Sequence, residues 1–271
     1  MNSAKTALIT GASWGLGYEL SRQFAKNGHN LILVARNAER LAEVAAELST
    51  AYGVQVKTVA KNLAQGGAAT ELHQQLKADG VVVDFLVNNA GFGTYGRFAD
   101  LPLAKELEEI QLNAATPVEM TRVFLPDMIA RGDGHIINMA SMAGFVPGPY
   151  MTIYFATKAF LVSFTESMSA ELKGSGVKIS AICPNVVATR FQETALNKAS
   201  YIGGRFQPLM SSAEATMAMA YAEIKTGKVI IIPGLSNKIA VAFLRLIPRR
   251  FLRFAVILFM RGPDIPKYGT H

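Results

Sequence analysis

The stretch KTALITGASWGLG, residues 5–17, runs an apolar strand-like segment straight into three glycines and then into a helical pattern. Residues 5–10 read as a strand, and the 3.6-residue pattern predicts a helix over 16–27. Between them, Gly11, Gly15 and Gly17 permit a tight turn, close backbone approach to a pyrophosphate and close packing of helix on strand, with phosphate at the helix N-terminus. The spacing is not G-x-G-x-x-G. What points to a dinucleotide site is the placement of the glycines between a first strand and a first helix.

Working outward, the same alternation repeats along the chain. Further strands are predicted at 30–35, 54–60, 82–88, 134–140, 177–183 and 228–232, most of them continuous Val/Ile/Leu runs, as expected of strands covered on both faces. Helices are predicted at 37–51, 65–78, 103–130, 152–173 and 212–225. Asn27-Gly28 closes the first helix, and Ser211 with Glu214 forms a capping box at the start of the last. This order defines an α/β chain with a Rossmann-type, doubly wound parallel sheet of about seven strands and helices on both faces. It occupies residues 1–235 as one domain, and residues 236–271 form a basic amphipathic extension. In such a sheet, ligands bind beyond the carboxyl ends of the strands.

Composition narrows the class. The 271 residues are 50% apolar and 17% charged, with a formal net charge of +7. Much of that excess sits in the tail, where Lys238, Arg245, Arg249, Arg250, Arg253 and Arg261 meet no acid until Asp264. With no recognition motif and no interleaved aromatic and basic platform, a nucleic-acid surface is disfavoured. The single cysteine, Cys183, excludes an intramolecular disulfide and reads as a buried apolar residue in a reducing compartment. The N-terminal residues lack the pattern of an export leader, and the expected location is cytoplasmic.

The second strand ends Val34-Ala35-Arg36-Asn37, with no acid before Glu39. An acid about 20 residues past the glycines would bond a ribose 2′-hydroxyl. Arg36 instead suits a 2′-phosphate, so the predicted cofactor is NADP(H). Further on, PYMTIYFATKAF (149–160) sets Tyr150, Tyr154 and Lys158 at two steps of four on one helical face.

Taken together, Thr10-Gly11-x-x-x-Gly15-x-Gly17, Asn88-Asn89-Ala90-Gly91, Asn113, Ser141 and Tyr154-x-x-x-Lys158 resemble the short-chain dehydrogenase/reductase family, in its single-domain branch. The likeness runs over residues 4–232. It implies a catalytic set of Asn113, Ser141, Tyr154 and Lys158. Lys158 is expected to lower the pKa of Tyr154, which exchanges a proton with a carbonyl or alcohol oxygen; Ser141 polarises that oxygen and Asn113 holds a relay water. Cofactor contacts are implied at Thr10, Gly11, Ser13, Trp14, Gly15, Leu16, Gly17, Arg36, Asn62, Leu63, Asn89, Ala90, Gly91, Tyr154, Lys158, Pro184, Val187 and Thr189. Two positions depart from the family pattern. Asn62 stands where an Asp bonds the adenine amine. Asn185 follows Pro184 where glycine is usual, a place asparagine can fill because it tolerates positive φ.

Phe92, Tyr95, Phe145, Val146, Pro147, Pro149, Tyr150 and Ser141 are expected around the substrate, with a lid over 191–209 carrying Phe191, Tyr201 and Phe206. These side chains are mostly apolar and predict an uncharged hydrophobic ketone or aldehyde, acyl, steroid-like or aromatic. Tyr154, one turn from Lys158, is the proton donor, and Tyr150 a wall of the pocket. Pro248 divides the tail into two helical pieces. These either pack on the domain or a subunit interface, as the implied homodimer or homotetramer would allow, or contact a membrane peripherally through residues 237–261. The sequence predicts NADPH-dependent reduction of a carbonyl group. The alternative is a catalytically silent NADP(H)-binding regulator, which would be marked by loss of Tyr154 or Lys158. An epimerase normally needs a larger C-terminal domain. No metal site is expected.

Overall fold

A computed structural model describes residues 4–187, 211–244 and 246–261. Seven parallel strands, β1 (Thr6–Thr10), β2 (Asn30–Ala35), β3 (Val56–Ala60), β4 (Phe85–Asn88), β5 (Gly134–Met139), β6 (Val177–Ile182) and β7 (Ile230–Ile231), form one sheet in the order β3-β2-β1-β4-β5-β6-β7. The helices are α1 (Gly15–Lys26), α2 (Ala38–Tyr52), α3 (Ala68–Ala78), α4 (Leu103–Ile110), α5 (Thr116–Arg131), α6 (Thr152–Glu171), α7 (Ala213–Ile224), α8 (Leu235–Leu244) and α9 (Arg249–Met260).

Strand side chains alternate between faces, and both faces are apolar. Ile9, Leu33 and Ile137 pack on one side with Leu20 and Phe24 of α1, Leu41 and Leu48 of α2 and Met217 of α7. Their neighbours Leu8, Ile32 and Ile136 pack on the other with Leu72 and Leu76 of α3 and Met120 and Phe124 of α5. The continuous Val/Ile/Leu runs are thus the signature of a sheet with no solvent face. The chain winds outward in both directions from β1, so the crevice lies at the carboxyl ends of β1 and β4.

Several local expectations change. The helix read over 103–130 is interrupted: Gln111–Ala115 forms a π-helical turn between α4 and α5. The α7 cap falls one residue later than expected, where the Ser212 hydroxyl oxygen accepts from the Ala215 N–H at 3.1 Å. Among the described residues, the one non-glycine with positive φ is Tyr150, at 69°, and not Asn185. Asn185 instead donates from its side-chain amide to Asn237 Oδ1 at 3.1 Å. Pro248 does divide the tail, as the N-cap of α9.

Candidate active site

The glycine turn is shaped by what a side chain would strike. A Cβ on Gly17 would meet Gly11 O at 2.3 Å and Asn89 Nδ2 at 2.4 Å, and Gly11 itself has φ +65°. Asn89 donates its amide to Thr10 O (2.8 Å) and Gly11 O (3.2 Å), tying this turn to the loop after β4. Thr10 is buried and works as a strut: its hydroxyl donates to Val87 O (3.1 Å) and accepts from the N–H groups of Asn89 and Ala90, each at 2.9 Å. Trp14 is the α1 N-cap and makes no side-chain cap, and no acid stands in the first turn. The uncapped N–H groups and the positive end of the helix dipole suit an anion, so these residues fit the pyrophosphate of a dinucleotide.

At the end of β2, Arg36 is exposed. Sequence reading missed its neighbour Arg40, whose guanidinium lies 4.2 Å from the Trp14 ring centroid and donates to Ser13 O at 3.3 Å. The signal was present, since Arg40 follows Arg36 by one helical turn. Asn62 accepts from the Ala64 N–H at 3.2 Å and fixes the turn after β3, while Leu63 is buried with its carbonyl accepting from Thr116 Oγ1 at 2.7 Å. Pro184 O accepts from the Met142 N–H at 2.9 Å, and Val187 bridges to Ser211. Thr189, Phe191, Tyr201, Phe206 and Arg245 lie outside the described residues.

Asn113, Ser141, Tyr154 and Lys158 converge beyond β4 and β5. Asn113 is buried in the π-helical turn, where its Oδ1 accepts from the Phe92 N–H (3.1 Å) and its amide donates to Phe92 O (2.7 Å) and Thr157 Oγ1 (3.3 Å). A Cβ on Gly91 would meet Asn113 Oδ1 at 2.8 Å and approach Lys158 Nζ to 3.7 Å, so glycine there lets the two side chains close up. Ser141 opens a short 3-10 turn by accepting from the Ala143 N–H at 3.1 Å and also hydrogen-bonds the Tyr154 phenol.

Burial acts on the pair in opposite directions. It pushes the Tyr154 phenol up to about 12, against the Ser141 hydrogen bond that lowers it, with the nearby Glu109 charge adding to the rise. It brings the Lys158 ammonium down to about 8, with Glu109 opposing. The net shift of the phenol is therefore upward, with burial its largest cause and Lys158 not among its causes. The ammonium donates to Met139 O at 2.7 Å and lies 5.5 Å from the Tyr154 ring centroid. Cys183 is buried and its thiol is pushed up to about 12 by burial, leaving it inert.

Two further contributors escaped the sequence reading. Glu109 of α4 is fully buried; its Oε2 accepts from the Thr94 N–H (3.0 Å) and hydroxyl (2.8 Å), and its Oε1 has no hydrogen-bond partner among the described residues. Burial pushes this carboxyl up to about 7, the Thr94 bonds and Lys158 opposing. The second is α9, whose Val256 and Met260 join Met151, Tyr95, Tyr150, Tyr154 and Phe155 in one apolar cluster. There the Tyr95 hydroxyl donates to Met260 O at 2.6 Å. Phe145, expected beside the substrate, is partly buried and packs on Leu161, Val162 and Cys183. Pro149 is half-buried, and the Phe92 ring has Lys105 Nζ 5.0 Å from its centroid. Two surface hollows, about 270 and 360 Å³, lie at the amino ends of the strands and between α3 and α5, away from Tyr154.

A glycine turn on the first strand of a doubly wound sheet, with a Ser–Tyr–Lys set at its carboxyl edge, defines a nicotinamide-dinucleotide type of site. The family model described as short chain dehydrogenase matches residues 5–200, and the chain belongs to that family. Over 193 residues it is 35% identical to a very-long-chain 3-oxoacyl-CoA reductase of Anas platyrhynchos, covering 69% of this chain and 61% of that protein. Over 188 residues it is 36% identical to the ketoacyl reductase HetN of Nostoc sp., covering 69% and 64%. The chain thus matches less than two thirds of the length of either relative. The structure of a short-chain dehydrogenase from Sphingobium yanoikuyae in complex with NADPH superposes with a TM-score of 0.80 at 28% identity, covering 97% of this chain and 99% of that one.

Proposed function

We propose that the chain is an NADPH-dependent reductase of ketones or aldehydes. The observation that carries this reading is the partly buried Tyr154 phenol, hydrogen-bonded by Ser141 and one helical turn from Lys158. A phenol pushed up to about 12 is protonated at neutral pH, the state a proton donor to a carbonyl oxygen needs. Ser141 holds the same oxygen as charge develops on it. Lys158, largely protonated at neutral pH, offsets the negative charge left on Tyr154 as the proton leaves, and Asn113 fixes the Phe92 backbone beside it. A bound dinucleotide supplies the hydride. Gly11, Gly15, Gly17 and the α1 N-terminus would hold its pyrophosphate. Exposed Arg36, with Arg40 stacked on Trp14, supports a 2′-phosphate and hence NADP(H).

The apolar surroundings of Tyr154 support a hydrophobic substrate, and the relatives' printed activities support a 3-oxoacyl group. Exposed Leu103, Leu107 and Ile110 on α4 and Phe160 on α6 support assembly into a homodimer or homotetramer, which sedimentation velocity would measure. The deciding experiment is NADPH consumption against a panel of hydrophobic ketones and aldehydes. Tyr154→Phe is expected to lower turnover at least ~100-fold, and Arg36→Asp to shift preference toward NADH. A Phe variant at full rate, or a panel with nothing reduced, overturns the reading and favours a silent dinucleotide-binding protein.

A further inference from the structure

We propose that the outer face of α8 and α9 docks on an anionic membrane, and that α9 links this surface to Tyr154 so that the carbonyl substrate is drawn from lipid. The second half rests on the reductase reading above, and the first does not.

On α8, Leu235, Ile239 and Phe243 follow steps of four and are 74%, 52% and 64% exposed. On α9, Phe251, Phe254 and Leu258 follow steps of three and four and are 55%, 65% and 62% exposed. At about 100° per residue they stand on the helix side opposite Leu252, Val256 and Met260, which face the protein. Six large exposed apolar side chains on two consecutive helices are more than scattered exposure and mark an interaction surface. Leu246 and Ile247 in the connection extend it, at 79% and 39% exposed.

Charge selects the occupant. Between Glu223 and Asp264 the sequence holds no acid, and Arg249, Arg250 and Arg253 are all exposed on α9. Arg250 flanks the outward face, about 70° from its centre, while Arg249 and Arg253 stand on the other side of the helix, within about a Debye length of the face. A second copy docked face to face would bring two acid-free basic segments together, with Arg250 of each at the rim. An anionic headgroup layer complements them while the apolar residues enter the acyl boundary. Neither helix is long and apolar enough to cross a bilayer, at 10 and 12 residues against the ~20 a span needs. The helices therefore lie on the surface. The inner face of the same 12-residue helix reaches the catalytic phenol, through the apolar cluster and the Tyr95–Met260 hydrogen bond. A lipid-borne ketone entering beside α9 crosses one helix thickness of apolar side chains to reach Tyr154.

The test is flotation of the full chain with vesicles of phosphatidylcholine alone, or mixed equally with phosphatidylglycerol. Binding to the mixed vesicles only, and its loss at ~1 M salt, is expected. Arg249→Gln/Arg250→Gln/Arg253→Gln should weaken it about 100-fold, and Phe251→Ser/Phe254→Ser/Leu258→Ser should abolish it. Both variants should still reduce a water-soluble ketone, while reduction of a long-chain ketone carried in mixed vesicles falls at least ~10-fold. Absence of flotation, or equal flotation of the glutamine variant, overturns the docking. So does a serine variant that still floats but dissociates in sedimentation equilibrium, because the face then belongs to a second copy. An unchanged ratio of lipid-borne to soluble turnover in the serine variant overturns the delivery. If no ketone is reduced, the reductase reading falls and delivery with it, and flotation still decides the docking.

Discussion

Glu109 acts on the site through charge, since it opposes the fall of Lys158 and adds to the rise of Tyr154. Its neutralisation in Glu109→Gln lowers both groups. The alkaline limb of kcat against pH is expected to move to lower pH by about 1 unit, with KM for NADPH unchanged. A pH–rate profile checks this, because a packing role alone would leave the limb in place. At the glycine turn, Gly17→Ala sets a Cβ 2.3 Å from Gly11 O. Calorimetry should show dinucleotide affinity falling at least ~10-fold, the equivalent of about 1.4 kcal/mol. Tyr154, Lys158, Ser141 and Asn113 were legible through the family resemblance that joins their motifs, since each taken singly reads as structural. Glu109 was not, since nothing local marks an acid of α4 as buried; Glu106 and Glu109 both are, and Glu109 meets Thr94 from a separate loop. Met260 reaches the site only because the tail folds back, which no local pattern encodes.

Elements were read well where two-sided burial dictates composition, as in β2, whose bounds agree with the sequence reading, and less well at strand ends where pairing partners run out. The helix over 103–130 hid its π-helical turn because the apolar pattern continues through Leu112 into α5. That turn aims Asn113 at Phe92, and such wide turns recur at functional positions. Another element-scale device passes through the sheet: Asn88 donates to Asn138 Oδ1 (2.9 Å), and Asn138 donates to Thr165 Oγ1 (2.9 Å) on α6. All three are buried, and together they fix the helix bearing Tyr154 against β4 and β5. Asn138→Ala orphans both partners and is expected to cost about 2–3 kcal/mol, read as a fall in urea midpoint and in Tm. Retained stability would show that the rung is dispensable.

The whole molecule balances two buried groups of opposite tendency. His135 donates from Nε2 to Ser180 Oγ (2.8 Å), because that hydroxyl gives its own proton to Lys228 O (2.7 Å), and burial beside Lys178 brings the imidazole down to about 4. The native state then binds fewer protons than the unfolded one, so stability from His135 is present above its unfolded value of ~6.5 and is lost as pH falls toward 4. Glu109, raised to about 7, contributes stability below its unfolded value of ~4.3 that is lost as pH rises toward 7. Across the shared window the two slopes oppose and partly cancel in the urea midpoint of the full chain, with His29, also lowered by burial, adding to the side of His135. Glu109→Gln should unmask a decline on acidification of up to about 1.4 kcal/mol per pH unit; a flat profile in that variant counts against the buried neutral imidazole. Neither group was legible, because a lone histidine in a strand and one acid among three carry no mark of depth. The proposed docking face was half legible: its apolar residues stand in the sequence, but which of them point outward is set by α9 packing on Tyr95 and Met151.

Trp14 is the chain's one tryptophan, and it stands 40% exposed in the glycine turn beneath Arg40. The protein therefore carries a single indole fluorophore, selectively excitable over its tyrosines, at the mouth of its proposed dinucleotide seat. Reduced nicotinamide absorbs where indole emits, so binding at that turn should quench the emission by energy transfer, and titration reads one position without labelling. The same placement cautions against using that emission to follow unfolding: it reports the release of one surface turn, while circular dichroism reports the sheet. A gap between the two unfolding curves would measure how much earlier the turn lets go.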